Sequence, residues 1–566
     1  MKCTLSVYVY ESIVMGGRVR REVSSSVEEL CVWLEENGVW WERSALEIRE
    51  HGCEAGRGVV ALRDVHAGEI IAKIPERALL STRNVTPRFA RPVKAIHALA
   101  VAMMIDEDEQ EEDQESEEEE EEHETGGASP ADDIALAAAV MAERSLGDKS
   151  RFHGYLSALP QCEPLAWTWP QSLASTELGG TELDADVLGS RADAVKRAFE
   201  HCVKDVLRGF TEEDFIAAMT IVESRAFVVD EVHGTSLVPF ADMLNHKYSD
   251  LEDVGDIAGL DDGIDGDDDA RASPRDGGDA DAGTTAVRYT RQKSALLPQA
   301  LLCVGSDGER GMTMRMLSNV SRGSEIFNTY GEMNNAGLLL TRGFCLWNQG
   351  MCVGTPIEIV NIRLETLLSA SEAMRCARGR AARDRLDFLA VSRFFFTSPR
   401  DAVADSFEDD DEQEEGADEA TVLPQYFTLS LDEDIDPRLV AAAHVLSMTA
   451  AEWVAVRRRG GTDASHAEEN KRDANDPPTC IAHEVSQLSS AGSALVLEAL
   501  RLRSNEYIAS SSLDEDLALM RTHTISDSRK LHACRLRASE RRVLRACASR
   551  LKKRKRVRSV VETRNR

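Results

Sequence analysis

The chain has 566 residues, is 42% hydrophobic and carries a formal net charge of −33 at pH 7. That length leaves room for more than one domain with an ordinary core. No apolar run reaches the roughly 18 residues that a membrane span needs, and Glu11 interrupts the short apolar run after Lys2 before a secretory signal is complete.

The charge sits in three blocks. Residues 106–124 hold 15 acidic residues and no Lys or Arg, residues 249–281 hold 13 acidic residues and two Arg, and residues 405–419 hold 10 acidic residues and no base. Such blocks repel themselves and bury little, so they read as disordered, solvated inserts. A second reading makes them lures for basic partners such as histone tails or ribosomal proteins. The 12 Cys include no CxxC pair, and Cys345 and Cys352 are too isolated for a zinc site. Free thiols, no metal and a soluble intracellular protein are the expectation.

In chain order, residues 1–50 are a helical lead-in with the Trp-rich "VEELCVWLEENGVWWE". "GVVAL" and "EIIAKI" are short β-type runs joined by the turn chemistry of "DVHAGE", which predicts two antiparallel strands. "ADDIALAAAVMAERSL" is helical by period, with Ile134, Ala137, Ala138 and Met141 on one face. A second helix spans about 191–208, with Val195, Phe199, Cys202, Val203 and Val206 aligned. A third follows "TEEDFIAAMTIVESR", where Thr211 and Asp214 suit an N-terminus. Strands return at "TSLVPFADML", "ALLCVG", "MTMRML" and "EIFN". From about 355 the chain reads as helical. The third acidic block and the linker-like 457–478 interrupt it, and the basic run "KKRKRVR" (552–558) closes it.

"VPFADMLNH" begins like a buried strand and ends in Asp242, Asn245 and His246. Buried polar groups cost about 1–3 kcal/mol each when unpaired. Either the fold satisfies them or something polar binds there.

That stretch, "GRGVVALRDVHAGE" (56–69), "VESRAF" (222–227) and "EIFNTYGEMNNAGLLLTRGF" (325–344) together resemble the SET-domain methyltransferases, and more narrowly the Rubisco large-subunit methyltransferase branch. "SRFHGYLSALP" (150–160) and "GGTEL" (179–183) resemble parts of the helical insert of that branch. "NEYIASSSLDEDLALM" and "LRASERRVL" resemble its helical substrate-binding domain. The resemblance implies an α+β fold: a β-rich, pseudoknotted SET core at 51–350, split by a helical insert at about 130–220. A mostly α-helical domain follows at 355–550, with a basic tail at 551–566.

The resemblance also implies S-adenosylmethionine as cofactor and a protein lysine as acceptor. Gly56, Arg57 and Gly58 of "GRG" would let backbone approach the cofactor. Arg225 would pair with the cofactor carboxylate. Asn245 and His246 would contact the cofactor, with Asp242 ordering the loop or touching it. Tyr330 would lie on the methyl-transfer axis, and an unperturbed phenol is a poor base at neutral pH. Phe227 and Ala241 stand where histidine-methylating relatives carry Asn and Trp, so they suit a lysine channel. Family members often have Ser-Asn after the Tyr-Gly; here Asn334-Asn335 stands, with Asn335 as a cofactor contact and the role of the first position open. The basic run resembles a nuclear-import signal, pointing to nucleus or cytoplasm.

A SET-like module without catalysis, recruiting basic proteins, is the alternative. Stable nucleic-acid binding is not expected, since basic residues interleaved with aromatics do not line a face. The Gly-rich fingerprint of a doubly wound fold is absent.

Overall fold

The computed structural model describes residues 25–53, 56–112, 129–230, 233–247, 300–304, 311–331, 333–347, 357–391, 424–431, 435–463, 489–509, 511–521 and 527–564. The second and third acidic blocks (249–281 and 405–419) lie outside these residues, as does most of the first.

The N-terminal part begins with α1 (Ser25–Glu36), β1 (Trp40–Trp41), β2 (Leu46–Cys53), β3 (Gly56–Ala61) and β4 (Ile70–Pro75). The expected helical lead-in is thus a helix followed by strands. Trp40 is exposed and Trp41 buried, the alternation of a strand with one face on a core. β3 and β4 do not pair with each other as a hairpin; they belong to different sheets. The link between them is pinned instead by a bridge from Val65 to Val320.

A helical layer follows: α2 (Pro87–Glu112), α3 (Pro130–Arg144), α4 (His153–Ala158), α5 (Gln171–Glu177), α6 (Ala185–Ala198) and α7 (Glu212–Arg225). It starts at Pro87, well before the expected 130, and α2 continues through 106–112 of the first acidic block. α3 is buried from Ile134 through Glu143. Its many alanines let α2 and α7 pack closely on either side. α6 runs into a π-helical turn at Phe199–Val203. α7 opens with a capping box: the Thr211 hydroxyl accepts from Asp214 N at 3.2 Å, and the Asp214 carboxylate accepts from Thr211 N at 3.0 Å.

The chain then forms β5 (Ala226–Val228), β6 (Thr235–Leu237), β7 (Asn245–His246), β8 (Ala300–Val304), β9 (Gly311–Met316), β10 (Glu325–Asn328) and α8 (Asn335–Thr341). The strand expected through "TSLVPFADML" stops at Leu237, because Pro239 cannot continue a ladder and Phe240 takes φ 80°. Among the described residues two four-stranded sheets form, ordered β1-β4-β9-β8 and β2-β3-β10-β7. β7 and β10 run parallel, pairing Asn245 with Phe327 and His246 with Asn328. The other neighbours in these sheets are antiparallel.

The C-terminal part comprises β11 (Ile359–Arg363), α9 (Leu364–Ala373), α10 (Arg380–Val391), β12 (Tyr426–Ser430), α11 (Pro437–Ser447), α12 (Ala450–Asp463), α13 (Ser490–Asn505), α14 (Leu513–Arg521) and α15 (Ser528–Arg564). It is not wholly helical: β11 and β12 pair antiparallel over five residues. The first part of the expected linker, 457–463, continues α12. The basic tail is no separate segment either, since its backbone extends α15 to Arg564. This part has its own core around Val360, Leu386, Phe427, Leu439 and Leu500. The core of the N-terminal part is distinct, yet Ala533 and Leu536 of α15 belong to it.

Candidate active site

α7 ends at Arg225 and the chain turns directly into β5, so Arg225 and Phe227 leave one helix terminus together. Both line a cavity of about 1120 Å³, and so do Arg57, Asp242, Asn245, His246 and Tyr330. This is somewhat above the roughly 300–1,000 Å³ usual for small-molecule sites.

The polar end of "VPFADMLNH" owes its place to a strained turn. Phe240 holds a left-handed backbone, costly for a bulky side chain. Its fully buried ring packs on Trp41 at 5.8 Å, which offsets that cost. A single 3₁₀ turn at Ala241–Met243 then carries Asp242 inward, and β7 aligns the next two residues. Each of the three side chains has at least one hydrogen-bond partner. Asn245 Nδ2 donates to Arg57 O at 2.8 Å and to Glu325 Oε1 at 2.5 Å. His246 Nδ1 accepts from Tyr330 N at 3.0 Å. Asp242 Oδ2 accepts from Tyr155 OH at 2.8 Å, while Asp242 Oδ1 is buried with no hydrogen-bond partner among the described residues.

Tyr330 is fixed on several sides. Its hydroxyl donates to Leu244 O at 2.9 Å. Its ring stacks on His246 at 5.1 Å and meets Phe344 edge-on at 6.3 Å. The Arg342 guanidinium sits 5.3 Å from the ring centroid. Burial pushes the phenol up to about 12, so it stays protonated at neutral pH. Burial, reinforced by Arg342, holds His246 down at about 4, so its imidazole is neutral. Burial lifts Asp242 to about 6 in spite of Arg225. Arg225 itself is held charged: burial opposes its charge, but Glu163 and Asp242 outweigh burial. Its Nε donates to Glu163 Oε1 at 2.8 Å and its Nη1 to Asp242 O at 3.2 Å.

Four sequence candidates sit away from the cavity lining. Gly58 is an extended residue of β3 opposite Arg49, and Gly56 lies opposite Cys53. Ala241 is buried and does not line the cavity. Asn335 does not line it either; its Nδ2 and Oδ1 both bond the backbone of Leu346, at 3.4 and 2.8 Å. Asn334 caps α8, accepting from Gly337 N at 2.8 Å. Ser and Asn are comparable N-caps, which accounts physically for Asn at this position.

Residues 413–544 match the family model of the Rubisco LSMT substrate-binding domain. The SET domain of LSMT bound to methyl-lysine and AdoHcy superposes with a TM-score of 0.52 at 17% identity, over 94% of this chain and 92% of that one. Rubisco LSMT bound to sinefungin and monomethyllysine gives 0.51 at 18%, over 94% and 93%. This is a split SET fold of the Rubisco LSMT type. A curated relative, the chloroplastic [fructose-bisphosphate aldolase]-lysine N-methyltransferase of Arabidopsis thaliana, is 25% identical over 234 residues. The match spans 40% of this chain and 41% of that protein, less than half the relative's length.

The cavity of the SET fold also draws on residues that sequence reasoning passed over. Asp133, Glu163 and Glu223 line it, with Arg342, His532 and Arg535. Burial, then Glu223, raises Asp133 to about 6. Arg342 lies inside "TRGF", a stretch already singled out, and Tyr155, which bonds Asp242 from behind the cavity, lies inside "HGYL"; the available signal was a polar side chain within an otherwise apolar motif. Glu163 and Asp133 carry no such local mark, because the contacts that bring them here come from elements distant in sequence.

Proposed function

We propose that this chain is an S-adenosylmethionine-dependent protein-lysine N-methyltransferase. The observation that carries this reading is the locked phenol of Tyr330, tied to Leu244 and stacked on His246 within one cavity that also holds Arg225, Asn245 and Phe227.

The residues present fit such a cofactor. Arg225, braced by Glu163, offers a cation for a carboxylate. The unpartnered Asp242 Oδ1 offers an acceptor for a donor group. The rings of Tyr330, Phe227 and Phe344 offer apolar and π surface to a cationic centre. S-adenosylmethionine, when bound, supplies an electrophilic methyl on a sulfonium. The protein's own task is alignment, which contributes on the order of 7–11 kcal/mol when reacting groups are well oriented. Tyr330 orients and does not abstract a proton, because its phenol titrates near 12. Asp133 and Asp242, each near 6, titrate closer to neutrality, and a lysine must shed its proton before attack.

Phe227 supports lysine over histidine as acceptor, since a phenyl ring cannot hydrogen-bond an imidazole. The names of the relatives, which specify lysine or methyl-lysine, support the same acceptor. The match of 413–544 to a substrate-binding model supports a protein as its carrier. The acidic blocks favour a basic one, such as a histone, ribosomal protein, elongation factor or transcription factor. The basic run 552–558 favours nuclear import, which a reporter fused to residues 545–566 tests by its distribution between nucleus and cytoplasm.

Titration calorimetry of wild type, Asn245→Ala and Tyr330→Phe with S-adenosylmethionine tests the enzyme reading. Wild type and Tyr330→Phe bind, Asn245→Ala loses binding, and Tyr330→Phe transfers methyl groups about 100-fold more slowly. Well-folded wild type without binding heat would return the chain to the alternative, a recruiter of basic proteins.

A further inference from the structure

The cavity is not built by the SET fold alone. The N-terminal part of α15, up to residue 544, belongs to the region matched by the substrate-binding model, 413–544, yet its first turns reach the cavity: Ser528, Leu531, His532 and Arg535 line it. Just below them Ala533 and Leu536 are sealed into the SET core. The contact at the cavity is the backbone of one residue, Cys345, held through both of its peptide units. His532 Nδ1 accepts from Cys345 N at 3.0 Å, and Arg535 Nη1 donates to Cys345 O at 2.9 Å. Both faces of Cys345 backbone are therefore held by a single helical turn of the other domain. Phe344 and Leu346, on either side of Cys345, line the cavity, and Phe344 bears edge-on against Tyr330.

We propose that His532 and Arg535 are positioning residues of the cofactor cavity. They clamp the Cys345 backbone on both sides, set Phe344 and Leu346 as the cavity wall, and make cofactor affinity depend on how α15 is seated. A neutral imidazole is the right group for the first contact, since only an unprotonated Nδ1 can accept from a backbone N–H. The sequence gap between 345 and 532 is why no local motif shows the arrangement. The helical domain then does more than hold a protein substrate: it finishes the site in which the methyl donor lies. Seating of α15 and occupancy of the cavity are coupled, and such coupling runs in both directions. The inference rests on the proposed cofactor reading.

The test uses the full chain and binding heats with S-adenosylhomocysteine, so it does not depend on turnover. His532→Leu removes the acceptor and leaves Cys345 N–H unpaired; His532→Asn restores an acceptor at nearly the same place. Leu439→Ala, on α11 in the core of the helical domain and away from both α15 and the cavity, is the control for general destabilisation. Thermal melts establish that each variant is folded and how far it is weakened. The expected result is a loss of affinity of about ten-fold or more for His532→Leu, a return to within about three-fold for His532→Asn, and wild-type affinity for Leu439→Ala. Arg535→Ala weakens binding in the same direction as His532→Leu. Wild-type affinity in His532→Leu overturns the inference while leaving the cofactor reading intact. So does a loss that Leu439→Ala reproduces at equal destabilisation. No binding by folded wild type removes both.

Discussion

Three side chains on this cavity wall have been moved by burial in directions set by their chemistry. A carboxylate loses more than a carboxylic acid on leaving water, so Asp133 rises from 3.8 to about 6. An imidazolium loses more than an imidazole, so His246 falls from 6.5 to about 4, and His532 does the same. These shifts act on stability with opposite signs. The folded chain holds the Asp133 proton more tightly than the unfolded chain, so that contribution is present at low pH and is lost as pH rises from about 3.8 to 6. The histidines contribute nothing against folding above about 6.5, and they cost stability as pH falls from there toward 4, because the unfolded chain takes up their protons first. The two effects oppose each other in the same window, so wild type has a flatter acid profile than either would give alone. Asp133→Asn removes one of them. The variant is expected to be more stable than wild type by on the order of 1 kcal/mol near pH 7, with the gain vanishing near pH 4. Denaturant melts across that range measure it. A variant less stable than wild type at pH 7 would show that Asp133 does more for the fold as an ion, through Arg191, than burial takes away.

Among the elements, caps and periods were legible and partners were not. α7 announced itself by Thr211 and Asp214 at capping-box spacing, and α3 by its alanine-rich period; both lie where the pattern put them. β3 and β4 were equally clear as strands, yet the pattern of one strand says nothing about its neighbour. β4 pairs with 311–316, across the insert and the second acidic block, and that choice depends on a core assembled from distant segments. The end of the strand before Asp242 was hidden for a related reason. Phe240 looks like one more core residue, and its positive φ follows from the pocket that receives its ring. The residues that share the cavity were legible where the pattern is local, in Arg225–Phe227, Asn245–His246 and Tyr330. It was not legible where contacts are long-range, as for Glu163 on Arg225. At α8 the element-level reading yields a direct check. Asn334 caps the helix that follows Tyr330, so Asn334→Ser should leave stability within about 0.5 kcal/mol of wild type, while Asn334→Ala should lose about 1 kcal/mol. Equal losses in both, measured by urea denaturation, would mean that Asn334 matters for something other than its cap.

At the scale of the whole molecule, the question is what makes two cores behave as one protein. The answer on this face is a polar clamp rather than an apolar seam. Gly180 takes φ +80°, and a Cβ there would sit 2.1 Å from Glu506 O, so the insert approaches the helical domain closer than any side chain permits. Arg503, on α13, crosses the gap: it donates to Gly180 O at 2.6 Å and Asn361 O at 3.0 Å, and pairs with Glu182 at 2.9 Å. Asn361 returns two bonds to the same carboxylate, at 3.0 and 2.8 Å. Glu540 closes the ring, accepting from Glu182 N and Tyr507 OH at 2.9 Å each. Removing one member of a buried ionic network leaves its partner charged and dry, at a cost of about 3–5 kcal/mol. Arg503→Ala is therefore expected to split a single calorimetric unfolding transition into two, the two cores melting separately, because the lost energy lies between them. Glu540 gives the clamp a pH dependence. Burial and the neighbouring Glu182 raise its carboxyl well above the usual carboxylate range, so the folded form keeps a proton that the unfolded form has released, and stability falls as pH climbs from about 4.5 through neutrality. Glu540→Gln keeps the shape without the ionisation. Wild type should lose melting temperature between about pH 6 and 9 and Glu540→Gln should not. If Arg503→Ala melts as one transition at the wild-type temperature, the domains are joined elsewhere, and the α15 contact with the SET core becomes the next place to cut.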